Sequence, residues 1–265
     1  MLEIDSNKYA WSQISKDHYN HFKKSLSEGS HKFNKYIQEE LCDLSGKKVI
    51  HLQCNTGADT MLLAKRCESV TGVDLVPENI FYAKKLAEDL QITNAQFIES
   101  DIMTLMDTHH EKYDVVFVSE GAIGWLPNLE KWGKTIRHLL KYDGFFYIFD
   151  NHPFFLMMDE RKVADNAMII KYPYFKKEPD VEESIGGYAS EVKSGVKAYF
   201  WSYTVSDIVN SLTSAGLHIQ YFHEYKENFF DSGRCRYVGE GLFNFDYNTD
   251  KFPMSFSVRA TVYHS

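Results

Sequence analysis

Polar residues suited to ligand binding follow the apolar run in the stretch VIHLQCNTGAD, residues 49–59. A dinucleotide fingerprint, G-x-G-x-x-G, would place glycines at Gln53, Asn55 and Ala58, and none of the three is glycine. The second glycine normally lets the backbone approach a pyrophosphate, whereas Asn55 puts a side chain there. No Gly-Lys-Ser/Thr sequence follows, which excludes a Walker loop. The loop therefore predicts a ligand without phosphates, and Asn55 and Gly57 tolerate the left-handed backbone that such a turn uses.

An acidic residue, Asp74, ends the next strand-like run, SVTGVD, 17 residues after Gly57. In doubly wound sheets, an acidic side chain at this place accepts hydrogen bonds from the ribose hydroxyls. Taken alone, Asp74 is also explained as a turn residue that caps the helix beginning at Pro77. Combined with the loop and the spacing, it predicts a nucleoside ligand that lacks a pyrophosphate.

Strand-like and helix-like segments alternate from residue 47 to residue 150. Such alternation predicts βαβ units, and hence a parallel sheet with helices on both faces. The strand-like runs at 217–225 and 254–264 have no helical pattern between them, so we expect them to pair antiparallel at one sheet edge. The sequence thus predicts an α/β fold with a doubly wound seven-stranded sheet that ends in a C-terminal antiparallel hairpin. The predicted parallel strands are KKVIHLQ, SVTGVD, AQFIESD, YDVVFVSE and FFYIFD.

Two aromatic-rich regions lie outside this predicted sheet. Residues 1–44 read as an N-terminal helical cap, and residues 45–265 as one domain with an insertion at 156–203. A connection of that length inside a compact domain is usually functional. We therefore expect the insertion to act with the cap as a lid over a small-molecule pocket. The alternative is a homodimer interface, where aromatic residues are enriched too.

Charge, hydropathy and cysteine usage limit the partners. The formal net charge is -8, the pI is about 5.8, and Lys and Arg form no dense run, so no nucleic-acid partner is predicted.

No apolar run approaches the roughly 18–20 residues of a membrane span. The stretch MLEIDSNKYA lacks the features of a signal peptide, so a cytoplasmic protein without a membrane partner is expected. The cysteines show neither a CxxC pair nor framework spacing, which predicts free thiols and no metal site.

Four motifs in order make the chain resemble class I S-adenosylmethionine-dependent methyltransferases, which have a Rossmann-like fold. VIHLQCNTG is similar to the first family motif, written VLDLGCGTG, and VTGVDLVPENIFYAK is similar to the second. FIESDIMTL and YDVVFVSEGAIGWLPNLEKW resemble the motifs at the third and fourth strands. The resemblance covers residues 45–152 well and 200–265 more loosely. The closing antiparallel hairpin is a feature that this family has and dinucleotide dehydrogenases lack.

The resemblance implies S-adenosylmethionine as the cofactor and methyl transfer to an O or N atom of a small molecule. It places Asp74 on the ribose and sets Asp101 and the backbone of Ile102 against the adenine. Ser119 and Glu120 would lie beside the methionine part. The full predicted cofactor set is Gln53, Cys54, Asn55, Gly57, Asp74, Leu75, Asp101, Ile102, Ser119 and Glu120.

The first motif departs from the family pattern, since His51 replaces an acidic residue and Gln53 and Asn55 replace two glycines. A bacterial small-molecule-type subgroup resembles this pattern, with HLQC in the first motif and HPF, here residues 152–154, after the fifth strand. We interpret His51 as a structural residue that orients the loop. A non-catalytic binder of S-adenosylmethionine or S-adenosylhomocysteine on the same fold is the main alternative. A nicotinamide-dependent oxidoreductase is a third hypothesis, which the missing glycines disfavour.

A general base is expected if the acceptor atom carries a proton. His152, at the carboxyl end of the fifth strand, is the first candidate. His18 is the second, because members of the family often fold an N-terminal helix over the cofactor. The sulfonium already activates the methyl group, so the protein mainly aligns the acceptor and excludes water. A structural or positioning role for both histidines is the alternative.

Overall fold

A seven-stranded sheet lies at the centre of the computed structural model. The structure describes residues 2–159, 162, 165, 167–232, 235–247 and 250–262. The strands of the central sheet are β1 (Lys48–Leu52), β2 (Ser69–Asp74), β3 (Ala95–Glu99), β4 (Tyr113–Val118), β5 (Leu140–Asn151), β8 (Leu217–Tyr225) and β11 (Ser255–Val262). Outside it lie β6 (Asp180–Ile185), β7 (Lys193–Phe200), β9 (Arg236–Gly239) and β10 (Leu242–Asn244).

The strand order in the central sheet is β3–β2–β1–β4–β5–β11–β8. The first five strands pair in parallel, and β11 runs antiparallel to both β5 and β8. This topology confirms the predicted α/β fold, with a doubly wound seven-stranded sheet and a C-terminal antiparallel hairpin. The predicted last strand extended to residue 264, but residues 263 and 264 lie outside the described residues.

Helices cover both faces of the sheet, as the two apolar clusters that meet at β1 show. Ile50 packs in a cluster that includes Trp132, whereas its neighbour Val49 packs with Ile37 and Leu63. None of the helices in the described ranges is both long and apolar enough to cross a membrane. The helices are α1 (Leu2–Ser12), α2 (Ser15–Ser27), α3 (Lys35–Glu40), α4 (Ala58–Ala64), α5 (Pro77–Asp89), α6 (Leu105–Thr108), α7 (Leu129–Leu139), α8 (Pro153–Leu156) and α9 (Val205–Ser214).

Side-chain caps of types common at helix starts begin α7 and α9. The side chain of Asn128 accepts a hydrogen bond from the backbone of Lys131 at the start of α7. Thr204 and Asp207 form a reciprocal capping box at the start of α9. These local signals explain why the helices begin where they do, close to the ends of the strands that form the site.

The N-terminal helices pack on the insertion that follows β5. Asn7 Nδ2 donates to Tyr199 O over 2.8 Å, and Tyr199 N donates to Asn7 Oδ1 over 2.7 Å. Since Tyr199 belongs to β7, which pairs antiparallel with β6, helix α1 and this hairpin form one layer. We call residues 2–34 and 156–203 together the roof, and residues 45–151 the base.

The segment between β8 and β11, residues 226–254, holds the short β9–β10 hairpin. The sequence identifies this segment only as a loop. The backbone N–H of Lys35 donates to Glu240 O over 3.0 Å, and a Cβ at Gly241 would lie 3.0 Å from Asn34 Cα. The segment therefore packs directly on the chain that leads into α3, and we call it the second insertion.

Candidate active site

A cavity of about 1330 Å³ lies beyond the carboxyl ends of β1, β2 and β4, between the base, the roof and the second insertion. This is the edge at which doubly wound sheets bind ligands. Of the predicted cofactor set, every residue except Gly57 lines the cavity, whereas His18 and His152 do not. The predicted residues that line it are Gln53, Cys54, Asn55, Asp74, Leu75, Asp101, Ile102, Ser119 and Glu120.

The loop after β1 has a left-handed backbone at three positions. The φ angles are 56° at Gln53, 50° at Asn55 and 82° at Gly57. The left-handed conformation predicted for Asn55 and Gly57 is confirmed, and Gln53 shares it. Gly57 also has little room for a side chain, because a Cβ would lie 3.1 Å from Ala83 and 3.2 Å from Phe97. The two substituted glycine positions thus keep a backbone typical of glycine while adding polar side chains.

Two buried polar atoms in this loop lack a hydrogen-bond partner among the described residues, namely Gln53 Oε1 and Thr56 Oγ1. Gln53 is anchored by its other amide atom, since Nε2 donates to Ala122 O over 2.7 Å. An unsatisfied buried polar group is unfavourable by about 1–3 kcal/mol. An amide oxygen and a hydroxyl in one loop suit a ligand with both donors and acceptors. The amino and carboxylate groups of a methionine moiety meet that description, so the residues present fit the predicted cofactor.

Asp74 combines the two roles that its sequence position suggests. Its Oδ1 accepts hydrogen bonds from Val76 N (3.0 Å) and Asn79 Nδ2 (3.1 Å), which holds the turn before α5. Its Oδ2 accepts from Asn55 N over 2.8 Å, which ties β2 to the loop after β1. A carboxylate has roughly four lone-pair positions, so one on Oδ2 is left for a ligand hydroxyl. Burial raises the pKa of Asp74, and the hydrogen bonds that it accepts oppose this rise.

The wall predicted to meet the adenine comes from Leu75, Asp101 and Ile102. Asp101 Oδ1 accepts a hydrogen bond from Met103 N over 2.8 Å, which fixes the turn after β3. Ile102 is almost fully buried yet still contributes to the cavity surface. An apolar surface with one acidic edge suits a flat aromatic ring that carries hydrogen-bond donors.

His51 bridges two parts of the base. Its Nδ1 lies 2.9 Å from Thr60 Oγ1 and its Nε2 lies 2.9 Å from Ser119 Oγ. Burial lowers the pKa of His51 to about 4, so the ring is neutral near pH 7. This geometry supports the structural interpretation of His51, because the ring holds the predicted cofactor residue Ser119 against the start of α4.

Asp150 is a site residue that the sequence analysis missed. Its Oδ1 accepts from Gly121 N (2.8 Å) and Asn151 N (2.6 Å), and its Oδ2 accepts from Ala122 N (2.9 Å) and Ile123 N (3.1 Å). Burial raises the pKa of Asp150 to about 6, against the effect of these backbone donors. The carboxylate thereby fastens the loop after β4 to the end of β5. The available signal was an acidic residue at the end of an apolar strand, as at Asp74.

Glu120 is a carboxylate of the cavity wall whose position depends on the segment before α3. Asn34 Nδ2 donates to Glu120 Oε1 over 2.8 Å. Burial, and then the nearby charge of Asp59, raise the pKa of Glu120 well above its usual value. Asp59 Oδ1 in turn lies 2.8 Å from His31 Nε2, so a second polar contact adjoins the same wall.

Neither predicted catalytic histidine faces the cavity directly. His18 is fully buried among the rings of Trp11, Phe22 and Tyr188, and burial lowers its pKa to about 4. The Nδ1 of His152 accepts a hydrogen bond from Phe154 N at the start of α8, and its Nε2 lies 2.9 Å from Glu224 Oε1. Both therefore occupy structural positions, and their catalytic roles stay predictions. Within the described ranges, no group of three or more His, Cys, Asp or Glu side chains is placed to hold a metal ion.

Comparison with known proteins identifies the family. A family described as a methyltransferase domain matches residues 43–181, which is more than half of the chain. An S-adenosylmethionine-dependent methyltransferase from Methanosarcina mazei superposes with a TM-score of 0.61 at 17% identity, covering 88% of this chain and 100% of the other. At that identity the likeness shows the fold.

Two curated relatives match part of the chain. An uncharacterized RNA methyltransferase of Clostridium acetobutylicum is 32% identical over 111 residues, which is 42% of this chain and 24% of the relative. A ubiquinone biosynthesis O-methyltransferase of Actinobacillus pleuropneumoniae is 32% identical over 112 residues, 41% of this chain and 47% of the relative. The matched regions thus span less than half the length of these relatives. These comparisons support the predicted class I methyltransferase family and its cofactor, whereas the small-molecule subgroup stays a prediction.

One prediction about partners is wrong. The sequence predicted no nucleic-acid partner, but several relatives are named RNA methyltransferases. The prediction rested on the net charge of the whole chain and on the lack of a dense Lys and Arg run in the sequence. Net charge averages over the surface and does not describe the local field around a binding site, so it was too weak to exclude this class of partner.

Proposed function

Because the chain belongs to the methyltransferase-domain family, we propose that it transfers a methyl group from S-adenosylmethionine to an oxygen or nitrogen atom of a small molecule. The observation that carries this proposal is the cavity of about 1330 Å³ shared by the predicted cofactor residues, the roof and the second insertion. Small-molecule sites generally measure about 300–1,000 Å³, so there is room for a cofactor and an acceptor together. The relative named for O-methylation in ubiquinone biosynthesis supports the same acceptor class.

The proposed cofactor pose follows from the groups of the base that still have hydrogen-bonding capacity. The methionine part would meet Gln53 Oε1 and Thr56 Oγ1, the two buried atoms of the loop after β1 that lack a partner among the described residues. The ribose would donate to Asp74 Oδ2, which has one lone-pair position left. The adenine would lie on the wall that includes Asp101 and Ile102.

The bound cofactor would supply a methyl group on a sulfonium, which needs no further activation. The work left to the chain is to align the acceptor and to exclude water. The roof suits this task, because the rings of Trp11 and Trp125 meet edge to face at 5.1 Å, and those of Trp125 and Phe200 at 5.3 Å. All three residues line the cavity, where aromatic faces favour a cation such as a sulfonium.

We assign positioning roles to the two predicted histidines. His18 fills the space between α2 and Tyr188 of the roof, with 5.0 Å between the ring centroids, so it supports the roof from inside. His152 fixes the start of α8 through Phe154 and so sets the direction in which the insertion leaves β5. Neither role requires the histidine to take a proton from the acceptor.

Titration calorimetry with S-adenosylmethionine, S-adenosylhomocysteine and NAD tests the cofactor assignment. We expect the first two to bind and NAD not to bind. Asp74→Ala should weaken binding, and Glu78→Ala, an exposed acidic residue four positions later, is the matched control. Binding of NAD alone, or of none of the three, would overturn the proposal.

Transfer of a radiolabelled methyl group tests the acceptor class. We expect label to enter a pool of small phenols and amines. Total RNA is tested in parallel, because several relatives are named RNA methyltransferases. Label in RNA alone would contradict the small-molecule acceptor. Cofactor binding without transfer to either pool would favour the non-catalytic binder, the alternative that the altered first motif suggests.

A further inference from the structure

Asn151, the last residue of β5, lines the cavity and carries an unused hydrogen-bonding group. The residue is 7% exposed, and its Oδ1 is buried without a hydrogen-bond partner among the described residues. It lines the cavity but does not belong to the predicted cofactor set. A buried amide oxygen without a partner is unfavourable, so its position indicates a ligand that donates a hydrogen bond.

Asn151 is held beside the wall that carries Glu120. Asp150 Oδ1 accepts hydrogen bonds from both Gly121 N and Asn151 N, so one carboxylate oxygen fixes the two backbones together. A Cβ at Gly121 would lie 3.9 Å from Asn151 Nδ2, and within the described part of the chain no other heavy atom outside the adjacent residues lies within 4 Å of that point. The absence of a side chain at Gly121 leaves the approach to the amide open.

The second insertion supplies apolar surface to the same cavity through Phe229, Phe230 and Phe243. Asn228, which is fully buried, and Phe243 exchange two backbone hydrogen bonds of 2.8 Å each. Ser255 Oγ of β11 donates to Glu227 O over 2.6 Å, which anchors the start of the insertion to the sheet. These contacts fix three aromatic side chains on a frame that is tied to the base.

The charges of the cavity favour a cationic or neutral ligand over an anion. Among the described residues, the lysines that line the cavity are Lys8, Lys32 and Lys171, and no arginine lines it. Aspartate and glutamate side chains in the same lining outnumber these lysines. Lys8 is already paired with Glu99 Oε1 at 3.5 Å. A negative field and aromatic walls together attract ammonium groups and repel carboxylates and phosphates.

We propose that Asn151 and the three phenylalanines form the methyl-acceptor subsite, and that the acceptor presents an amine on an apolar body to Asn151 Oδ1. This inference rests on the proposed function and narrows its acceptor atom from oxygen or nitrogen to nitrogen. The amine would react in its neutral form: its lone pair would form the new N–C bond while the bond between the methyl group and the sulfonium sulfur breaks. S-adenosylhomocysteine would be the leaving group, and the methylated nitrogen would release its extra proton to solvent. Asn151 acts here as a specificity-determining residue, since it accepts an N–H bond that a carboxylate cannot donate.

The test uses three probes of matched shape, namely 2-phenylethylamine, 2-phenylethanol and 3-phenylpropionate. Each is titrated into the full chain saturated with S-adenosylhomocysteine. We expect the amine to bind at least 10-fold more tightly than the carboxylate, with the alcohol between them. Asn151→Leu should lower the affinity for the amine about 10-fold, which corresponds to 1.4 kcal/mol, and leave the affinity for S-adenosylhomocysteine unchanged. Phe230→Ala should weaken all three probes by a similar factor.

Two further measurements keep the outcome decisive. The Asn151→Asp variant keeps the shape of the side chain and adds a negative charge, so we expect it to bind the amine more tightly than the wild type does. This variant serves as the test if Asn151→Leu does not fold. Equal binding of the amine and the carboxylate, or a loss of S-adenosylhomocysteine affinity in Asn151→Asp, would overturn the inference. If S-adenosylhomocysteine does not bind the wild type, the proposed function fails instead. The three probes are then titrated without S-adenosylhomocysteine, and the amine is again expected to bind more tightly than the carboxylate.

Discussion

The base and the roof enclose one cavity but are held together in different ways. In the base, buried carboxylates bind backbone N–H groups, four at Asp150 and two at Asp74. In the roof, rings meet at their edges and large apolar side chains stay exposed, including Ile170 at 63% and Phe175 at 80%. Backbone hydrogen bonds fix positions closely, whereas side-chain contacts leave a surface that opens more easily. From this comparison we propose that the base places the cofactor rigidly, and that Asn151 at its edge selects the acceptor together with the roof and the second insertion.

The largest effect should come from removing the carboxylate that organises the base. Asp150→Ala leaves the N–H groups of Gly121, Ala122, Ile123 and Asn151 without their acceptor. We expect a loss of about 3–5 kcal/mol in the free energy of unfolding, measured by urea titration. Asp143→Ala, on the same strand but exposed, is the control and should change little. A stable Asp150→Ala protein would contradict the claim that the base depends on this carboxylate.

Asp74→Ala should act mainly on the cofactor. The change removes a charged acceptor next to the cavity, and each such hydrogen bond contributes about 1.5–3 kcal/mol. We expect the affinity for S-adenosylmethionine to fall by roughly 10- to 150-fold, measured by calorimetry. Glu78→Ala should bind as the wild type does. Unchanged affinity of Asp74→Ala for S-adenosylmethionine would show that the ribose does not bind at Asp74.

His18→Phe should change the pH dependence of stability. The pKa of His18 is lowered from 6.5 to about 4 in the folded protein, so the folded state binds fewer protons than the unfolded state between these values. Its contribution to stability is therefore complete above pH 6.5 and declines as the pH falls toward 4. Between pH 7.5 and 5.5 the wild type should lose roughly 1–1.5 kcal/mol more than His18→Phe.

Urea unfolding at pH 7.5 and 5.5 measures this difference in the free energy of unfolding. His51 is present in both proteins, so its contribution cancels in the comparison. The control is His110→Phe, which makes the same substitution at an exposed histidine. Identical pH dependence in the wild type and His18→Phe would show that the roof does not bury a neutral imidazole.

Asn7→Ala should have the smallest effect, and one confined to the roof. It removes the reciprocal hydrogen bonds with Tyr199, which we place at the low end of the usual range, about 0.5 kcal/mol each. We expect amide hydrogen exchange in β7 to accelerate several-fold, while exchange in β1 stays as in the wild type. Asp5→Ala, exposed on the same helix, is the control. If amide hydrogen exchange accelerated equally in β1 and β7, the base and the roof would not open independently.

Much of the base could be predicted from the sequence because its signals are local. An apolar run such as Val49–Leu52 forms a buried strand, and Asn128 and Thr204 mark helix starts within a few residues. The loop after β1 was predicted from residue types alone, since Asn55 and Gly57 favour the left-handed backbone that they adopt.

The parts that could not be predicted depend on distant contacts. Asp150 binds amides 27 to 29 residues earlier in the chain, and nothing near it in sequence identifies them. The strand β9 is mostly exposed and shows no apolar alternation, so the local sequence does not predict the β9–β10 hairpin. The hairpin is positioned by its packing on Asn34, which is distant in sequence. The positions of His18 and His152 likewise follow from tertiary packing, which residue type and strand ends do not reveal.

Gly124 connects the base to the roof where the chain has no space for a side chain. A Cβ there would lie 2.1 Å from the Phe200 ring, and Gly124 O accepts a hydrogen bond from Trp201 N over 2.7 Å. For protein engineering, this pair offers control over the size of the pocket. Enlarging residue 124 displaces the Phe200 ring, and shortening Phe200 makes room for it, while every polar group of the cofactor wall stays in place. Paired libraries at these two positions would therefore change which acceptors fit without changing the charge of the cavity.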